Sequence, residues 1–254
     1  MTTKLKFKNM FSVSADAKTS KGEKYGFLTG ILYLAPAKLS GYQVCPMASM
    51  AQCEGPCLNS AGRGAFNSVQ LARIAKTRLF FENRDYFMQC IVYSIRALVR
   101  KASKLDLIPL VRLNGTSDIR WETIPVTIDG KEYPNVFEAF PSVQFYDYTK
   151  LANRKDIPAN YDLTFSYSGV ANYARYAQSA INAGMRVAVV FRSIDVIPSK
   201  FLGLRVVPGD NSDIRHLDPH GSIVALYAKG KAKKDTSGFV IDPARKVIPI
   251  ALSA

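Results

Sequence analysis

Tyr173-Ala174-Arg175-Tyr176-Ala177-Gln178-Ser179-Ala180-Ile181-Asn182-Ala183-Gly184 runs, after Met185, into Arg186-Val187-Ala188-Val189-Val190-Phe191. The first segment has helical spacing and ends on glycine, the residue that most cheaply closes a helix. The second is apolar and β-branched beyond its first residue, as a buried strand requires. A helix that feeds directly into a buried strand is half of a crossover unit, and crossovers imply a mainly parallel sheet.

The same alternation extends in both directions. Short strand-like runs are expected at 27–34, closed by Ala35-Pro36, and at 107–113, 143–149 and 163–168 before the helix, then at 204–207, 223–227 and near 239–241 after it. Val69, Ala72, Ile74, Leu79 and Phe80 predict a helix over 66–82; Phe87, Ile91, Ile95, Leu98 and Val99 predict another over 84–103. These elements predict an α/β fold: a partial or open (β/α) barrel with mainly parallel strands and a three-cysteine loop after the first strand. A doubly wound sheet is the alternative, because sequence does not reveal strand order. Residues 1–24, rich in Lys, Ser and Thr, are expected to form a basic, mobile N-terminal arm, and 25–254 a single α/β domain.

With 254 residues, 48% of them hydrophobic, the chain can bury a core without disulfide staples. Its 34 Lys and Arg outnumber 20 Asp and Glu, a net charge of +14, which points to a polyanionic partner, nucleic acid or nucleotide, although solubility alone is the plain alternative. No apolar run of about 18 residues is present, so no membrane span is expected. The basic N-terminus lacks the apolar stretch of a secretory signal, which favours the cytoplasm. In a reducing compartment, clustered cysteines are more often metal ligands or catalytic groups than disulfides.

Three of the four cysteines, Cys45, Cys53 and Cys57, lie in one loop with the spacing C-x7-C-x3-C, among Pro46, Gly55 and Pro56. Three thiolates with one coordination position open suit a 4Fe-4S cluster. Zinc is the alternative metal, but it needs a fourth ligand from His216, His220 or Cys90. Cys90 falls inside a predicted helix among Met88, Ile91 and Val92, where a small buried thiol is the simpler reading.

Ligands of parallel α/β folds sit at the carboxyl ends of strands. Polar residues gather there: Arg112, Asn114, Ser117 and Asp118 after the second strand, Asp147, Thr149 and Lys150 at the third, Ser168 at the fourth, Arg192 at the fifth and Asp210 beyond 207. They are the candidate cofactor-binding or substrate-binding residues, with ordinary loop solvation as the plain alternative.

A three-cysteine loop after the first strand of a partial barrel resembles the radical S-adenosylmethionine enzymes, whose usual spacing, C-x3-C-x2-C, is shorter. That resemblance implies a cluster held by Cys45, Cys53 and Cys57, with S-adenosylmethionine at the open iron. Cys45-Pro46 with Cys53 and Cys57-Leu58, the run Arg112-Leu113-Asn114-Gly115-Thr116-Ser117-Asp118, and Phe145-Tyr146-Asp147-Tyr148-Thr149-Lys150 resemble phage-encoded proteins of the gene-product-eighty-eight type. This second resemblance implies a phage origin and a shared rim site, and carries no reaction with it.

Two functional readings compete. One is an iron-sulfur enzyme of radical type acting on a nucleotide or nucleic acid. The other is a nucleic-acid-binding phage protein with a structural cluster or zinc, in which Arg73, Lys76, Arg78, Arg84, Arg96, Arg100, Lys101 and Lys104 track phosphates. Metal-dependent hydrolysis through Asp118, Asp147, Asp210 and Asp213 has no supporting motif. The G-x-S-x-G elbow, the G-x-G-x-x-G fingerprint and the P-loop are all absent.

Overall fold

The computed structural model describes residues 8–14, 22–57 and 62–243. It divides into two compact units: Met1–Val44, Phe66–Asp147 and Asp156–Asp162 form the first, and Cys45–Ala65, Tyr148–Lys155 and Leu163–Ala254 the second.

In the first unit β1 (Ser12–Val13) pairs antiparallel with β2 (Phe27–Ile31), which is followed by the short α1 (Ala37–Ser40), α2 (Asn67–Glu82) and α3 (Arg84–Lys104). The strand β3 (Ile108–Arg112), a hairpin of β4 (Val126–Ile128) and β5 (Lys131–Tyr133), the one-turn α4 (Val136–Ala139) and β6 (Gln144–Thr149) complete it. β2 runs parallel to β3, and β3 parallel to β6. Asn83 separates the two long helices: its backbone N–H bonds to Leu79 and its side chain accepts the N–H of Tyr86, so it closes one helix and caps the next. The recurrence of Phe87, Ile91, Ile95, Leu98 and Ala102, all buried, gives α3 the apolar face that it lays on β2 and β3.

The expected arm is revised where it is described. β1 is part of the sheet, Met10 and Phe11 are buried, and the backbone N–H of Met10 donates to Ser94 Oγ at 2.8 Å. Residues 8–14 are therefore tied to the fold by a ladder and a buried hydrogen bond; residues 1–7 and 15–21 of the expected arm lie outside the described residues.

The second unit takes most of β7 (Tyr161–Ser166), then α5 (Ala174–Asn182), β8 (Arg186–Phe191), β9 (Lys200–Phe201), β10 (Leu204–Pro208) and β11 (Ile223–Tyr227). The expected helix and strand of the opening stretch are both present. Gly184 adopts φ 68° and donates to Ile181 O, while Met185 N donates to Ala180 O, the paired bonds of a Schellman ending. Ala177 and Ala180 bury one side of α5 against Phe165, Tyr173, Val187 and Val189.

β7 and β11 flank β8 in parallel, β10 lies parallel outside β11, and β9 closes the edge antiparallel. The α/β class with mainly parallel strands is thus observed, but β11 enters between β8 and β10, out of chain order. A simple barrel winding would have paired β8 with the next parallel strand. Among the described residues no ladder closes a barrel; β1 and β9 are edge strands. The expected last strand, near 239–241, is reduced to one bridge between Phe191 and Ile241.

At the amino ends of these strands two fully buried arginines tie the loops. Arg186 Nη1 donates to the carbonyls of Arg215 at 2.5 Å and Asp218 at 3.0 Å, and Arg215 pairs with the Asp218 carboxylate at 3.0 Å. Their partners place them in architecture.

The Schellman ending gives a direct test. Gly184→Ala forces a Cβ into the left-handed region, which costs about 1–2 kcal/mol. A urea unfolding midpoint lowered accordingly, with an unchanged slope, is the expected outcome.

Candidate functional site

The cysteine segment is a built turn. Ala48 N donates to Cys45 O at 3.1 Å and Ala51 N to Met47 O at 2.9 Å; Gln52 N then donates to Ser49 O and Cys53 N to Ala48 O, at 3.0 and 3.1 Å. With Gln52 at φ 49° this is a second Schellman ending, which places Cys45 at the entrance of the coil and Cys53 at its exit. Ala51 is fully buried in the second unit's core, and Met47 and Cys53 pack against it. Two hydroxyls meet the carbonyls at the coil's end: Ser168 Oγ donates to Ala51 O at 2.8 Å, and Ser237 Oγ lies 3.2 Å from Gln52 O.

Cys45, Cys53 and Cys57 are reduced thiols, each half-buried. Burial pushes the Cys53 thiol up; the Lys150 ammonium pulls it back, and Cys57 and Glu54 push it up further. Cys53, Cys57 and Lys150 therefore share one electrostatic neighbourhood. Cys53 Sγ also donates weakly to Ala48 O at 3.7 Å.

Lys150 is 6% exposed. Its Nζ donates to the carbonyl and hydroxyl oxygens of Ser166, both at 3.1 Å, and lies 5.3 Å from the ring centre of Tyr173 and 5.0 Å from that of Phe239. Two aromatic faces and the Ser166 oxygens hold the cation in place. Tyr173 Oη in turn donates to Lys150 O at 3.0 Å, and the buried Thr149 accepts Leu151 N at 3.1 Å, so the backbone on both sides of the lysine is pinned.

Arg192 supports the turn at one remove. It donates to Lys233 O at 3.0 Å and Asp235 O at 2.6 Å; the Asp235 carboxylate accepts Val240 N at 3.0 Å and lies 2.7 Å from Ser237 Oγ. The guanidinium thus organises the segment that carries Ser237 to the cysteine coil. Asp210 is engaged elsewhere, accepting Tyr227 N at 3.0 Å and pairing with Lys229 at the end of β11.

In the first unit the expected rim residues gather around Asn114, which is 2% exposed. Asn114 N donates to Asp147 Oδ1 at 2.8 Å, and its Oδ1 accepts from Ser117 Oγ, Ile119 N and Trp121 Nε1 at 2.8, 2.9 and 3.0 Å. Its Nδ2 donates to Ile119 O at 3.0 Å. Tyr161 Oη donates to Asp147 Oδ2 at 3.0 Å, and Arg112 Nε stands 3.8 Å from Asp147 Oδ1. Asp118, also buried, donates its backbone N–H to Val44 O at 2.7 Å. Gly115 passes so close to β2 that an added Cβ would lie 2.6 Å from Leu32 O. Asn114, Ser117 and Asp147 hold the 112–121 segment in shape.

Of the residues expected at strand ends, Lys150 and Ser168 lie beside the cysteine coil. Tyr161, Trp121, Tyr173 and Ser237 carry as much of the local chemistry and were not among them. A buried aromatic hydroxyl or indole N–H seeks a polar partner, yet nothing in a linear chain says which. Cys90 is fully buried in α3, as expected for a packed thiol. Among the described residues no group of three or more His, Cys, Asp or Glu side chains stands ready to hold a metal ion, and no helix is long and apolar enough to cross a membrane.

The family model described as gene product 88 matches residues 6–243, and the chain belongs to that family. No curated protein and no solved structure matches it.

Two outcomes follow from these contacts. Asn114→Ala strands the Trp121 and Ile119 N–H groups, each costing about 1–3 kcal/mol when buried without a partner, so urea unfolding should show a loss of at least that size. At pH 8 a raised Cys53 pKa means less thiolate. Its alkylation by iodoacetamide, followed by peptide mass spectrometry, should run slower than that of an unfolded-chain cysteine. Lys150→Met removes the lowering charge and should slow it further.

Proposed function

We propose that the chain is an iron-sulfur protein whose cluster is held by Cys45, Cys53 and Cys57. The observation that carries this reading is the cysteine coil itself: a backbone-bonded turn seated on a buried core, closed by Ser168 and Ser237, with the buried Lys150 beside Cys53.

The donor set favours a cluster over zinc. Structural zinc takes four protein ligands. Cys90 is locked inside α3, His216 sits in the Arg215–Leu217 turn held by Arg186, and His220 lies 3.4 Å from the same guanidinium at the amino ends of the strands. Three thiolates from one loop leave one iron open, as a 4Fe-4S centre allows. Among the described residues the three thiols do not stand grouped as a ligand set, so ligation would have to draw their side chains together.

When bound, the cluster would supply electron transfer and an iron site for a small ligand. S-adenosylmethionine is the ligand that the radical-enzyme resemblance implies, with a partial barrel as the matching architecture. The chain's own contribution is to fix the coil, to exclude water from Cys53 and to place the charge of Lys150 near the thiolates. The excess of positive charge supports a nucleotide or nucleic acid as the partner, in the host cytoplasm.

Anaerobic purification with iron and sulfide analysis tests the reading. About four irons per chain and a broad absorption band near about 400 nm are expected for thiolate ligation of such a centre. Both should vanish in Cys45→Ala, Cys53→Ala and Cys57→Ala and persist in Cys90→Ala. Stoichiometric zinc, or equal loss from all four variants, would overturn the assignment.

A further inference from the structure

The cysteine coil leaves most of the positive charge unused, and the structure sorts the basic residues of the two long helices by what they do. Arg73 is buried, with its guanidinium 4.8 Å from the Tyr33 ring centre. Lys76 donates to Met10 O at 2.7 Å, and burial together with the neighbouring Arg73 pulls its pKa down to about 8. Arg84 folds back over the Phe80 ring at 4.4 Å. These three serve the fold.

The remaining cations on α3 form a row. Tyr93, Arg96, Arg100 and Lys104 recur at helical spacing on the exposed side, with Lys101 beside them. Tyr93 is 40% exposed, and the opposite side of the helix is buried. From Arg96 to Lys104 the row spans about 12 Å at the α-helical rise. Asp85, at the far end, is the only acidic residue of α3. Two acidic residues lie near the row: Asp129, which pairs with Arg96 at 2.5 Å, and Asp106, just beyond the helix. Lys8 adds an exposed cation two residues from Met10, whose backbone is bonded to Ser94 of the same helix.

Cations in a last helical turn offset the helix dipole, which accounts for Lys101 and Lys104. It does not account for Arg100, outside that turn, or for the exposed Tyr93 in line with it. We infer that this face of α3 is a docking surface for the phosphodiester backbone of nucleic acid, with Arg100, Lys101 and Lys104 on phosphates and Tyr93 placed to stack on an unpaired base. The inference rests on the polyanion reading of the charge excess and is independent of the cysteine coil. An aromatic within a basic row is the combination that single strands use, since every base presents a face for stacking.

The test is a salt titration of binding to short fluorescein-labelled single-stranded DNA, RNA and duplex, read by anisotropy between about 50 and 200 mM salt. The α3 triple variant Arg100→Gln, Lys101→Gln, Lys104→Gln is compared with a charge-matched triple in the second unit, Lys231→Gln, Lys233→Gln, Lys234→Gln. Circular dichroism verifies that both are folded. The α3 triple should lower the magnitude of the log-affinity against log-salt slope by about 2 for single strands, whereas the second-unit triple should leave it unchanged. Tyr93→Ala should weaken single strands more than duplex. Equal loss from the two triples would overturn the surface while leaving nucleic-acid binding in place. No binding by the unaltered chain to any of the three probes would sink both the surface and the polyanion reading. Loss of vesicle binding, but not oligonucleotide binding, in the α3 triple would assign the face to anionic lipid instead.

Discussion

Backbone groups that leave a parallel strand and turn into a buried loop lose water before they gain a ladder, and each must find another partner. Much of this molecule's polar chemistry answers that constraint. In the first unit one amide, Asn114, receives the turn after β3 and fastens it to Asp147 and Trp121. In the second unit the same demand is met by hydroxyls and guanidinium groups: Ser168 and Ser237 on the cysteine coil, Arg192 on the 233–235 carbonyls, Arg186 on those of Arg215 and Asp218. A strand end is where a ligand can bind and also where the backbone most needs help. The same residue types serve both ends.

That double use explains what is legible in the chain. The long helices and β8 are readable because burial leaves a pattern: one apolar face in α3, a nearly continuous buried apolar run in β8. β1 and β9, two residues each, are too short to carry a pattern. The β4 and β5 hairpin has a local turn signal in Asp129-Gly130, but strands of three residues give it little periodicity to stand on. The entry of β11 between β8 and β10 is not legible, because strand order is a property of long-range pairing and leaves no local trace. For the site, sequence locates polar residues at strand ends but not their direction. Ser168 is a cap for the coil, and Asp210 a clamp on Tyr227 and Lys229. Lys150 stands out in the chain by its charge, whereas the rings of Tyr173 and Phe239 reach it only through folding.

The state of Cys53 separates the chemistries open to the coil. A cysteine nucleophile works as a thiolate, and reactive cysteines sit where the pKa is depressed and the sulfur accessible. Cys53 has the opposite balance: burial raises its pKa and outweighs the lowering influence of Lys150. That environment differs from the one that activates a cysteine nucleophile. A metal centre inverts the logic, because coordination deprotonates a thiol outright, and burial then shields the bonded sulfur from water and oxidants. Under the proposed ligation, thiolates around iron would bring negative charge into the second unit, where the Lys150 ammonium already favours the ionised form of Cys53.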